Sequence, residues 1–410
     1  MDRPSQELAV RIAEVIRKEG VPAMTMNGEV CRAIPFNRYM ALCLYDEQSG
    51  YYRSGGVRIG REGDFYTSSA IGGVMGQMLA KYLRGASISC SEPPVMMEWA
   101  AGAGTMTRDM LAAWSDNAPE WMSRIEYWAV DDHPQHLESV RELAYTVLAR
   151  SPGKRSIRCV NSAEAMEALA ALPQEKTVLI AANELIDAMP VHRVTRLDGQ
   201  LKELGVCIQP DDGDDDCSGI PGSLSFRYAY LPLSTPKLAW SIEADGVPLA
   251  EGQETEINLA AEQWLAELGA AVQSGMLLLA DYGHDAQEYR AAHRMKGTLM
   301  CYRRHMAHDN PFLDPGEQDI TAHVNFTALK RAAQQAGWSV AYEATQLQFL
   351  LEQGILELLE EHDGADPFSV KAKRNRAVRQ VLLSDSMSET FKIMVLTRGG
   401  FTLPYERAAT

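Results

Sequence analysis

The period of the hydrophobic pattern changes along this chain, and each change marks an element. Residues 5–19 place Leu8, Ile12, Val15 and Ile16 at helical spacing, and Gly20 with Pro22 beyond it predicts the helix end. Residues 34–44 read as a second helix opened by Pro35. From Val95 a short apolar run ends on Glu98, and the small residues Ala100, Ala101, Gly102, Ala103 and Gly104 follow. Met106, Met110, Leu111 and Trp114 then predict an amphipathic helix beginning at Thr105.

This strand, loop, helix order recurs. Apolar runs at 125–130, 156–160, 178–182 and 276–280 end on Asp131-Asp132, Asn161-Ser162, Asn183-Glu184 and Asp281, and residues 135–149 read as a helix. Apolar strands that each end on a polar residue predict the buried parallel sheet of a doubly wound α/β fold, with its chemistry along the carboxyl edge.

Two stretches depart from that texture. Residues 193–257 read as a β-rich excursion: Val191 to Leu197 and Leu201 to Ile208 flank an Asp198-Gly199 hairpin signal, and the acidic run Asp211 to Asp216 reads as a solvated loop. Residues 284–325 hold His284, His293, His305, His308 and His323. Helices at 258–273 and 326–336 and strands at 339–344 and 391–397 return to the sheet. Residues 346–386 are helical, with a basic face of Lys371, Lys373, Arg374, Arg376 and Arg379. The expected organisation is N-terminal helices and a Gly- and Tyr-rich lid (1–90), then a core carried by 91–192, 258–283, 326–345 and 387–410. The core is interrupted by a β-rich insertion (193–257), a second insertion (284–325) and a helical one (346–386).

Composition narrows the function. At 410 residues with 46% apolar content the chain can bury a large core, and a net charge of −16 argues against broad nucleic-acid binding. The seven cysteines are scattered without a C-x-x-C, so no zinc site or disulfide framework is expected and reducing cytosol is the expected compartment. The N-terminus lacks the pattern of a signal or transit peptide, and no run of about 18 apolar residues is present to span a membrane. His305, His308, Asp309, Asp319 and His323 do not have the spacing of a known metal site, so no metal is expected.

The glycine loop carries the main chemical signal. A dinucleotide fingerprint fails because Thr107 stands where its third glycine belongs. Glu98 before Gly102 and Gly104 instead resembles the first motif of class I S-adenosylmethionine-dependent methyltransferases, with Ala100 in place of the first glycine. On that resemblance the loop admits the cofactor while Glu98 helps hold its amino group. Asp131, at the end of the next strand, is placed to accept hydrogen bonds from ribose hydroxyls. Asn161 and Ser162 follow by position near the adenine. In Asn183-Glu184-Leu185-Ile186-Asp187 the acids could orient a cationic nitrogen and take its proton, or Asn183 could cap a helix with acids in its first turn.

Several stretches together resemble the MidA-like methyltransferases. The chain carries Phe36 to Met40 with Gly50-Tyr51-Tyr52, Gly63-Asp64-Phe65 with Thr67-Ser68, and Glu98 to Thr105. It continues with Asn183-Glu184, Asp187-Ala188 and Pro190, then Asp281-Tyr282-Gly283, the run Asp319 to Phe326, and Phe391-Lys392. The family order is kept, while Ser69, Ala70, Ala100, Ala101 and Ala103 depart from the motifs and mark a divergent member. The resemblance implies a Rossmann-like class I methyltransferase sheet with an N-terminal helical and lid segment and inserted substrate-side subdomains. It implies S-adenosyl-L-methionine as cofactor, held by Glu98, Gly102, Gly104, Asp131 and Asn183 and covered by Asp64, Phe65, Thr67 and Ser68. Glu184 and Asp187, with His323, would face the acceptor. Mitochondrial members of the family are complex I assembly factors that methylate a protein arginine, so a protein or peptide nitrogen is the expected acceptor. A small-molecule O- or N-methyltransferase and a non-catalytic assembly protein stay open as alternatives.

Overall fold

The computed structural model describes residues 3–53, 73–149, 157–209, 224–304, 306–361, 366–383 and 390–404. Asp64, Phe65, Thr67, Ser68, His305 and the acidic run at 211–216 lie outside the described residues. The chain divides into two compact units, one of Met1–Arg58, Ile186–Gln263 and His284–Leu329, the other of Ile59–Leu185, Trp264–Gly283 and Lys330–Thr410.

The second of these holds the predicted sheet. Its strands lie in the order Ser339–Thr345, Phe391–Arg398, Ser274–His284, Thr177–Asn183, Val95–Trp99, Glu126–Val130 and Ile157–Val160. The last five of that order pair in parallel, whereas Phe391–Arg398 is antiparallel to both of its neighbours. Val95–Trp99 is buried at every position, which is why it reads as an unbroken apolar run rather than an alternating one. Helices Val74–Ala86, Thr105–Asn117 and Pro134–Leu148 contribute to a core with Met96, Met110, Trp114, Leu179 and Leu278. Trp114 is fully buried because its indole nitrogen finds a partner, donating to the Ala80 carbonyl at 2.8 Å.

The first unit is antiparallel. Its main sheet follows the order Glu254–Ile257, His192–Leu197, Gln200–Ile208, Val30–Pro35, Val21–Thr25 and Phe226–Leu231, and the last strand also pairs with Gln200–Ile208, closing a ring. Ala23, Ala33, Cys207 and Ala229, small side chains suited to a narrow closure, pack with Leu231 in this region. Gly205 belongs to the same closure: a Cβ there would stand 2.3 Å from Leu231 Cδ1 and 2.6 Å from the Ile34 carbonyl oxygen. The Asp198-Gly199 turn has φ of 50° and 72°, the left-handed pair that a two-residue hairpin requires. Helices Arg3–Glu19 and Phe36–Tyr45 bury Leu8, Ile12, Ile16, Tyr39 and Met40 in this unit's larger core. A small sheet, Met306–His308 against Met300–Arg303 against Asp319–Thr321, completes it.

Two expectations change. The helix expected over 34–44 begins only at Phe36, because residues 30–35 form a strand and Pro35 marks the junction. No helix starts at Asn183, so the reading of Asn183 as a helix cap with acids in the first turn is corrected. Glu184 instead takes φ 52° and its N–H bonds the Ala280 carbonyl at 2.9 Å, so the chain is still tied to the neighbouring strand and is left-handed where a helix would have to begin.

Candidate active site

The glycine loop keeps its turn despite its alanines. Ala100 sits at φ 60°, Gly102 at 52° and Gly104 at 84°, and the Ala101 N–H bonds the Val130 carbonyl at 3.0 Å. A left-handed alanine costs about 1–2 kcal/mol, so the surroundings impose the conformation that a glycine would take freely. Gly104 has a packing reason of its own. A Cβ on it would meet Val140 Cγ2 at 2.9 Å, on a neighbouring helix that packs against Thr105–Asn117.

Asp131 is tied to this loop. Its Oδ2 accepts from the Gly102 N–H at 2.9 Å, and its Oδ1 accepts from the His133 N–H at 2.9 Å with His136 Nδ1 at 3.0 Å. One carboxylate therefore joins the loop after Val95–Trp99 to the helix start after Glu126–Val130. His133 caps that helix, taking the Gln135 N–H at 3.1 Å, and stacks on His136 with centroids 4.4 Å apart. Neither histidine stands out as a site residue in the sequence, although His-Pro-Gln-His directly after Asp131-Asp132 is a capping signal in plain view.

Glu98 is 1% exposed, and its Oε2 accepts from the Tyr127 hydroxyl at 2.6 Å and from the Thr107 hydroxyl. Burial pushes its carboxyl up from 4.5 to about 7; the Thr107 and Tyr127 hydroxyls pull the other way, while Asp131 and Asp109 add repulsion. Thr107, the residue that breaks a dinucleotide fingerprint, thus has a structural role of its own, anchoring the first turn of its helix to Glu98.

Asn161 and Ser162 have structural occupations. Asn161 forms a capping box with Glu164 at the start of Ser162–Ala170, and Ser162 donates from N and Oγ to Asp132 at 2.8 and 3.1 Å. Asn183 ends the strand beside Val95–Trp99, with its Nδ2 donating to Glu184 Oε1 at 3.0 Å. Its buried Oδ1 has no partner. An orphaned acceptor at the carboxyl edge of the central strands is what a site for a donor-bearing ligand offers, and an α-amino group is such a donor. With the left-handed loop and Asp131 alongside, these residues fit S-adenosyl-L-methionine.

In the other unit Asp187 is 5% exposed, and its carbonyl takes the Ala322 N–H at 3.0 Å. His323 lies in the same unit, its ring 5.1 Å from that of His284. Its N–H donates to Thr298 Oγ1 at 3.1 Å and its carbonyl accepts from the Tyr289 hydroxyl at 2.7 Å. Burial, with His284 and Arg294 adding to it, lowers the His323 imidazole to about 4, so it is neutral at pH 7. Among the described residues no group of His, Cys, Asp and Glu has the arrangement of a metal site.

A parallel sheet in this order, with its antiparallel strand beside Ser274–His284 and a left-handed loop linked to an acid on the next strand, defines a class I S-adenosylmethionine-dependent methyltransferase. The comparisons agree. Residues 76–344 match the family described as S-adenosyl-L-methionine-dependent methyltransferase. A crystal structure from Burkholderia thailandensis with S-adenosyl-homocysteine bound superposes with a TM-score of 0.78 at 30% identity, covering 97% of this chain and 93% of that one. The "Protein arginine methyltransferase NDUFAF7, mitochondrial" of Mus musculus is 25% identical over 389 residues, 90% of this chain and 80% of its own length. The "Protein arginine methyltransferase NDUFAF7 homolog, mitochondrial" of Drosophila melanogaster is 27% identical over 316 residues, 74% of this chain and 67% of its own length. The chain belongs to the MidA-like family of S-adenosyl-L-methionine-dependent methyltransferases, as a divergent member.

Proposed function

We propose that this enzyme transfers methyl groups to an arginine side chain of a protein or peptide. Relatives named as protein arginine methyltransferases align over most of the chain, and the buried acid Asp187 stands in a stretch that resembles a family motif, Asn183-Glu184 to Pro190. A carboxylate suits a guanidinium in charge and shape. The cofactor supplies an electrophilic methyl on sulfonium. A new bond from the acceptor nitrogen to that carbon replaces the sulfur–carbon bond, and the nitrogen then gives up a proton. Glu184 and Asp187 are the groups proposed to orient the nitrogen and receive that proton, and His323, neutral at pH 7, is a weaker base than its sequence position suggested.

Glu98, Gly102, Gly104, Asp131 and Asn183 are proposed to hold the cofactor. Asp64, Phe65, Thr67 and Ser68 are proposed to cover it, and Asn161 with Ser162 to border the adenine. A cytosolic location is proposed from the scattered cysteines, of which the six described ones are free thiols. No helix among the described residues is long and apolar enough to cross a membrane.

The test uses the purified chain, cofactor with a deuterated methyl, and lysate from cells lacking the gene. Label on arginine that depends on the enzyme is the expected result. Label confined to lysine would refute the arginine reading, and label confined to small molecules would refute it and favour the small-molecule alternative.

A further inference from the structure

The three-stranded sheet of the antiparallel unit has one face that its core does not use. Cys301 and Ile320, both fully buried, point into the hydrophobic core. The alternate positions carry Tyr302, Asp319 and Thr321, because Tyr302 pairs directly across from Asp319 and strand residues two apart share a face. Asp319 is 4% exposed and Thr321 1%. The Thr321 hydroxyl is buried without a partner. A purely structural strand would carry valine there, since a buried hydroxyl without a partner forfeits its hydrogen bonds to water.

Other groups of the same unit converge on that face. The Tyr52 hydroxyl donates to Asp319 Oδ1 at 2.7 Å, which fixes the carboxylate, and the Tyr52 ring stacks on Tyr45 at 5.7 Å. Tyr45 in turn donates to the Ala188 carbonyl at 3.0 Å, next to Asp187, whose own carbonyl holds Ala322 at the end of the strand. Burial raises the Tyr52 and Tyr302 phenols, and the charges of Asp319 and Asp187 both add to the rise. Two largely buried carboxylates, a buried unmet hydroxyl and tyrosine faces form a constellation with negative charge and π surface together.

We propose that Asp319, Thr321 and Tyr302, with Asp187, form the recognition pocket for the guanidinium of the acceptor, and that Tyr52 is a positioning residue acting through Asp319. The aromatic walls favour guanidinium over ammonium, because a planar, weakly hydrated cation stacks on a ring while its edge meets carboxylates. This inference rests on the arginine reading above, and it adds residues that lie outside the stretch Asn183 to Pro190.

The full-length chain is titrated with N-acetyl-arginine amide and with its neutral isostere N-acetyl-citrulline amide, followed by saturation-transfer NMR. Wild type is expected to bind the arginine compound at least about tenfold more tightly than the citrulline compound. Asp319→Asn and Tyr302→Leu should each lose that preference while binding S-adenosyl-homocysteine within about threefold of wild type. Cofactor binding also shows that the variants are folded. Tyr52→Phe should raise KM for an arginyl peptide about tenfold with a much smaller change in kcat, a split that a general loss of stability would not give. Equal binding of the two compounds by wild type, absent binding, or an intact preference in both variants would overturn the pocket. Selective guanidinium binding without methyl transfer to arginine would leave the pocket standing and defeat the arginine methyltransferase reading instead.

Discussion

Replacing Glu98 with Gln exposes the cost of burying an acid beneath the cofactor loop. The carboxyl ionises near 7 in the folded protein against 4.5 ordinarily, chiefly because burial removes its hydration. Since the folded value is raised, the stability this group contributes is full below pH 4.5 and is lost as the pH climbs through 7. A shift of that size corresponds to roughly 3 kcal/mol, and a side chain 1% exposed is not screened by solvent. Glutamine keeps an acceptor for the Thr107 and Tyr127 hydroxyls and does not titrate. Any fixed cost of housing its amide is the same at all pH values, so the difference between variant and wild type isolates the ionisation. Urea denaturation at pH 5 and pH 8 should show Glu98→Gln gaining about 2–3 kcal/mol on wild type between the two conditions. A gap constant to within about 0.5 kcal/mol would mean that Glu98 is not the buried, destabilising charge described. Gained stability should come with weaker cofactor binding if Glu98 helps hold the amino group, the usual conflict between a site and its fold.

Further outcomes follow from the same geometry. Gly104→Ala should destabilise the protein by about 2 kcal/mol or more in urea, because φ is 84° and Val140 Cγ2 would stand 2.9 Å from the new Cβ. Ala100→Gly should relieve a left-handed alanine, and the gain is offset by the greater unfolded entropy of glycine; the expected net is a stabilisation of about 1 kcal/mol or less with cofactor affinity retained. Glu184→Gln should keep cofactor affinity within about threefold and lower methyl transfer at least about a hundredfold; full transfer would leave the acid structural.

Much of the sheet is legible in the sequence because parallel strands covered on both faces leave long apolar runs, and each ends on a polar residue that the fold puts at the carboxyl edge. The antiparallel ring is harder to read. Val21–Thr25 and Val30–Pro35 pair with each other, but their outer partners, Phe226–Leu231 and Gln200–Ile208, are distant in sequence, and in the sequence the two strands look like the surroundings of two helices. Helices Val74–Ala86, Ser162–Ala170 and Pro236–Ala244 are also missed by the hydrophobic pattern, their starts being a left-handed glycine, a capping box and a threonine cap with proline. At the site, Asp131 and Glu98 are visible from strand ends and spacing. Their partners are not: Thr107 figures in the sequence only as a missing glycine, and the His133–His136 stack forms only once the capped helix start sets the two rings one turn apart. The helix expected at Asn183 fails because a single left-handed residue, Glu184, turns the chain.

Calorimetric titration with S-adenosyl-homocysteine, on wild type and on Asp131→Ala, tests most directly whether the loop, Asp131 and Asn183 make the cofactor site. Wild type should bind saturably at one site. The variant loses the carboxylate that fixes the Gly102 N–H and that is proposed to bond the ribose hydroxyls, so its affinity should fall about ten- to a hundredfold, or about 1.5–3 kcal/mol. Binding by a folded Asp131→Ala with unchanged affinity, or no binding by wild type, would contradict the assignment.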